Sequence, residues 1–156
     1  MSSQVSNPYY KGVKVCKKAV RVVRRVVSNG FYNKSKEEQI EGLGKITSEI
    51  CDYYNIISPK IAVDKGHEYY QPHNDLIGLP KSTSIISLLH ELRHHIQFQA
   101  DKCYKGHNKE EDARAWSLRV FKLACPNSFK RSIKRGNIMH IEWDREEEKV
   151  VNERGY

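Results

Sequence analysis

Between Pro8 and Ser28 the apolar residues Cys16, Ala19, Val20, Val23, Val26 and Val27 recur at helical spacing, and Lys14, Lys17, Lys18, Arg21, Arg24 and Arg25 occupy the other face. Asn7-Pro8 has the form of an N-cap followed by proline at the first helical position, and Asn29-Gly30 closes the segment as a helix C-terminus. Ser35-Lys36-Glu37-Glu38 is a capping box. It opens a second amphipathic helix carrying Ile40, Leu43, Ile46, Ile50 and Tyr53 or Tyr54 on one side, ended by Ser58-Pro59. Three short strands follow, at 60–63, 67–70 and 76–79, separated by the turn signals Asp64-Lys65-Gly66 and Gln71-Pro72-His73-Asn74-Asp75. A third helix, capped by Ser82 or Ser84, runs to about Ala100, and a fourth spans about Lys109 to Ala124. Cys125-Pro126-Asn127 stops that helix, and Phe129 to Arg135 reads as a short basic helix. The pattern predicts an α+β fold with a short, mostly antiparallel sheet, in one domain spanning 1–156. Residues 1–6 and about 142–156 read as flexible ends.

The third helix carries chemistry. His90-Glu91-Leu92-Arg93-His94 matches H-E-x-x-H. Residues four apart on an α-helix share a face, so the two imidazoles can hold one tetrahedral Zn²⁺. The Glu beside the first His leans toward the open side, where it can take a proton from a water and pass it to a leaving group. The motif is short, and its context carries the weight. At about 100° per residue, Ile85, Leu88, Leu89, Leu92 and Ile96 gather on the side opposite His90 and His94. Such a helix has an apolar underside and a His/Glu/His upper side.

A third metal ligand has to come from downstream. The metzincin pattern wants Gly and His soon after the motif, and Gln97 and Ala100 stand there instead. The remaining candidates are His107 in the loop and the acids Glu110, Glu111 and Asp112 at the start of the fourth helix. With Ala113, Trp116, Val120, Leu123 and Ala124 marking that helix's buried side, Glu111 falls opposite, while Glu110 and Asp112 flank the core. A Glu reaches further than an Asp, which ranks Glu110 first, ahead of Asp112 and His107. The acids also suit a helix N-terminus in their own right.

His90–His94 followed by Glu110-Glu111-Asp112-Ala113-Arg114-Ala115-Trp116 resembles the small gluzincins, which include minimal thermolysin-like and ImmA/IrrE-type peptidases. In those families a Glu opening an E-x-x-A segment is the third zinc ligand. The resemblance carries that role to Glu110, with Ala113 as the Ala; the next position, often Asp or Asn in the family, is Arg114 here. It covers roughly residues 60–125 and implies a zincin-like domain, Zn²⁺ as cofactor, Glu91 as catalytic base, His90, His94 and Glu110 as metal ligands, and a peptide or protein substrate.

Other residues take lesser roles. Tyr104, His107 and Arg114 are candidates by position for stabilising an oxyanion. His95 sits on the wrong flank for the same metal and reads as structural; His67 and His73 lie in turns and read as solvated. Leu76 to Leu79 reads as an edge strand able to pair with an extended peptide.

The four cysteines are far apart and form no C-x-x-C pair, which excludes a zinc ribbon and predicts reduced, structural thiols. No apolar h-region follows the N-terminus, so a cytoplasmic location is the expectation. The formal net charge of +8 and the basic stripe of the first helix (14–25) raise nucleic acid or an anionic surface as partners. The stripe lacks interleaved aromatics, so a solvated face of a helix packed through its valines is the favoured reading. The competing function is therefore a basic nucleic-acid-associated protein with a structural or vestigial metal site.

Overall fold

The computed structural model describes residues 14–63, 66–100 and 109–135. Helix α1 spans Lys17–Ser28 and starts later than the Asn7-Pro8 signal predicts, a signal that itself lies outside the described residues. Lys14 and Val15 are not helical, and Cys16 is the N-cap, its Sγ accepting the Ala19 N–H at 3.4 Å. The helix ends at Asn29, and Gly30 at φ 91° turns the chain in the left-handed conformation that glycine adopts without penalty. Helix α2, Lys36–Tyr54, has the capping box in full: Glu38 N–H donates to Ser35 Oγ at 3.2 Å, and Ser35 N–H donates to Glu38 Oε1 at 3.1 Å. It stops short of Ser58-Pro59, because Asn55 takes the left-handed C-cap conformation at φ 60°.

Strands β1 (Lys60–Val63), β2 (Tyr69–Gln71) and β3 (Leu76–Leu79) form a mixed sheet in the order β1-β3-β2. This corrects the expectation of a mostly antiparallel sheet with Leu76–Leu79 at its edge. The 3₁₀ turn Pro72–Asn74 and Asp75 at φ 47° fold β3 back along β2, so that pair is antiparallel. β1 then joins the other side of β3 in parallel, leaving β3 central with Ile77 and Leu79 fully buried. Gly78 pairs with Tyr69, and a Cβ at 78 would lie 2.1 Å from the Tyr69 ring. The missing side chain lets that ring lie across the central strand.

Helix α3, Ile85–Ala100, follows Ser84, whose Oγ accepts the Ser87 N–H at 3.2 Å. Helix α4 covers Lys109–Ala124 and α5 covers Pro126–Lys134. Pro126 therefore starts a new helix as well as stopping the old one, since a proline at the first position gives up an N–H that has no helical partner anyway. α3 and α4 make the largest helix–helix contact, α1 packs on α2 and α4, and the sheet lies against α3. Leu43, Ile46 and Ile50 of α2, Leu88, Leu89, Leu92 and Ile96 of α3, and Trp116 and Val120 of α4 are fully buried in one core. The apolar underside of α3 anchors the helix, and the His/Glu/His side faces out of the core.

Cys16, Cys51 and Cys125 are buried and unbridged, as expected, and Cys103 lies outside the described residues. Burial pushes the Cys51 thiol up to about 12 and Cys125 to about 11, which keeps both unreactive. On α1, Arg25 and Lys18 both reach Glu49, at 2.8 and 3.1 Å, and Arg24 donates to the Leu123 carbonyl at 2.9 Å. Half of the basic stripe thus braces the helix against its neighbours. Among the described residues no helix is long and apolar enough to cross a membrane.

Candidate metal centre

His90 and His94 lie one turn apart on α3 with ring centroids 5.0 Å apart. Both Nε2 atoms turn toward one carboxylate, that of Glu110 in the first turn of α4: His90 Nε2 is 3.0 Å from Oε1 and His94 Nε2 is 2.9 Å from Oε2. Packing of α3 on α4 brings the three together, and an acid is well placed at the N-terminal end of α4. Asp112, the alternative in the same turn, is spoken for. It is buried and accepts from Arg93 Nε and from Gln97 Nε2, each at 2.8 Å. Glu111 is half-buried and stands outside the converging group. His107 and Tyr104 lie outside the described residues, and Arg114 is not among the residues lining the cleft over the site.

Glu91 is 6% exposed, and none of the described residues gives its carboxylate a hydrogen bond or an ion pair. Burial, then the nearby Glu68 and Glu110 carboxylates, raise its pKa to about 7. A cation between the histidines and Glu110 would offset that crowding of negative charge. Burial, and next the neighbouring His94, lower the pKa of His90 and so favour its neutral, metal-binding form.

Glu68 is the site residue that sequence reasoning missed. Its carboxylate lies within 4.8 Å of the ligand atoms of His90 and Glu91, and Ser87 Oγ holds it at 2.7 Å. It sits just before β2, in a segment whose pattern reads only as strand and turn. The fold alone carries it to α3. The chain also misses the predicted strand start there, since β2 begins at Tyr69. His95 is fully buried, between Tyr70 OH and the Ile57 carbonyl, both at 2.8 Å, and is structural as its flank predicted. His67 and His73 are exposed.

The donor set fits a metal on its own evidence. His94 Nε2 is buried and, among the described residues, has no hydrogen-bond partner, although a Glu110 oxygen lies 2.9 Å away. Two imidazoles and a carboxylate are a usual set for Zn²⁺. Tetrahedral bonds of about 2.0–2.1 Å need ligand atoms about 3.3 Å apart, and each histidine Nε2 stands 2.9–3.0 Å from a Glu110 oxygen.

No protein-family model, curated protein or solved structure matches the chain. The chemistry therefore rests on the residues themselves. An open cleft covers them, walled by Tyr69, Tyr70 and Pro72 on one side and by Lys109 and Glu110 on the other, with Glu91, His94 and Phe98 also lining it. Among the described residues the arrangement presents three metal-type ligands and, beside them, a carboxyl with no hydrogen bond or ion pair, under an open cleft.

Proposed function

We propose that the protein is a zinc-dependent metallopeptidase, with His90, His94 and Glu110 holding the metal and Glu91 as general base. One observation carries the reading: both histidine Nε2 atoms turn onto the Glu110 carboxylate while Glu91 stands beside them, buried and without a hydrogen bond or ion pair from the described residues. The resemblance of these residues to the gluzincin motifs supports it.

A zinc ion held by these three residues supplies Lewis acidity, polarising a scissile carbonyl and making a nearby water acidic. Glu91 accepts a proton from the attacking water and returns it to the leaving amine, a role that suits a carboxyl whose pKa is lifted toward neutrality. The cleft favours a peptide among hydrolysable substrates. Among the described residues β2 is an outer strand of the sheet, and it lines the cleft, which suits an extended chain laid along it beside Glu91. The aromatic rings of Tyr69, Tyr70 and Phe98 offer that chain an apolar wall. Contact with nucleic acid through α1 is a separate proposal that rests on charge alone.

Hydrolysis of a denatured protein substrate should stop when a chelator strips the metal and return when zinc is restored. Hydrolysis that continues at full rate after complete metal removal would overturn the reading.

A further inference from the structure

We infer that Gln97 is a positioning residue that sets the tautomer of His94 and so aims a bare nitrogen at the metal position. The argument starts from the amide of Gln97, which is 3% exposed. One end of that amide faces two groups that can only accept: the Lys109 carbonyl oxygen at 3.0 Å and the Asp112 carboxylate at 2.8 Å. That end is therefore the NH₂. Asp112 is in turn paired with Arg93, whose Nε donates to it at 2.8 Å and whose guanidinium lies over the Trp116 ring at 5.1 Å. With both amide hydrogens committed, the Gln97 oxygen points the other way, 2.9 Å from His94 Nδ1. An amide oxygen only accepts, so Nδ1 carries the proton.

In a neutral imidazole the other nitrogen is then a lone pair. That nitrogen is Nε2, the buried atom with no hydrogen-bond partner among the described residues, facing Glu110 Oε2 at 2.9 Å. Two acceptors meet there, and a cation satisfies both. The relay from Trp116 through Arg93, Asp112 and Gln97 thus decides which ring nitrogen of His94 is offered to the site. Its consequence for metal affinity rests on the metal reading above, whereas the tautomer itself does not. The relay runs through the interior between α3 and α4, outside the His/Glu/His pattern, and nothing in that pattern calls for it.

The test compares Gln97→Met with Gln97→Glu. The methionine has similar bulk and removes the acceptor. The glutamate keeps an oxygen facing Nδ1, ionised or not, while giving up the amide's two donors. Two readouts are taken: the His94 tautomer from long-range ¹⁵N–¹H spectra of the zinc-free protein, and zinc affinity by competition with a chromophoric chelator. Wild type is expected to show the Nδ1–H form. Gln97→Met should populate the Nε2–H form and bind zinc about ten- to hundred-fold more weakly. Gln97→Glu should keep the Nδ1–H form and an affinity within about threefold of wild type, even if it melts earlier. An unchanged tautomer in Gln97→Met, or equal loss of affinity in both variants in step with lost stability, would overturn the inference. If Gln97→Met does not fold, Gln97→Glu decides alone: retention of the tautomer supports the role and its loss ends it. If wild type binds no zinc at all, the metal reading fails, and the spectra still decide what Gln97 does to His94.

Discussion

Glu91→Gln should retain the metal and lose turnover by about 10²- to 10⁴-fold. The amide matches the carboxylate in shape but cannot take a proton from water at neutral pH. Nothing structural depends on the charge, because none of the described residues hydrogen-bonds or pairs with Glu91. The site in fact resists that charge: burial and the neighbouring Glu68 and Glu110 carboxylates raise the pKa to about 7. The variant should therefore melt at or above the wild-type temperature while zinc content stays the same. Peptide hydrolysis, metal analysis and a thermal melt on one preparation separate the outcomes. Turnover within a few-fold of wild type would remove Glu91 from the mechanism, and lost zinc would give it a ligand's role instead.

The second large effect is on stability. Asp112→Ala should cost about 3–5 kcal/mol, because it takes from the buried Arg93 guanidinium the carboxylate to which its Nε donates at 2.8 Å. Arg93 is 1% exposed and Asp112 5%, so the pair is removed from bulk water between α3 and α4. Gln97 loses an acceptor in the same change. A buried pair is not the same as a stabilising one, however. Arg93→Met combined with Asp112→Ala should recover a large part of the loss, since apolar groups in place of both charges remove the desolvation cost. Urea denaturation reads both variants through the midpoint at constant slope. A loss under about 1 kcal/mol for Asp112→Ala would mean that the pair is open to solvent.

Much of this was legible in the linear pattern. The strand bounds 60–63 and 76–79, the capping box at Ser35 and the bounds of α4 all depend on residues close in sequence, and all hold in the structure. The face of α3 that carries His90 and His94 also follows from helical periodicity, and the fold brings Glu110 of α4 beside both of them. The sheet order was not legible, because strands of three or four residues carry no signal for which side of β3 receives β1. Asp112 illustrates a different limit. An acid beside the core side of a helix near a histidine pair reads as a ligand, and only packing reveals that Arg93, at a variable position of the motif, takes it first. Glu68 belongs to the same class, since a loop acid becomes part of a site only when the chain folds over α3. Pro126 was ambiguous in kind: the residue that ends one helix is also the best residue to begin the next.

The metal itself is the central claim, and elemental analysis of purified wild type and Glu110→Ala tests it most directly. The arrangement predicts about one zinc ion per wild-type chain, and loss of most of it in the variant, where two histidines remain without a third ligand. Wild-type protein that holds no metal even after zinc is added, or a variant that holds zinc as tightly as wild type, would contradict it.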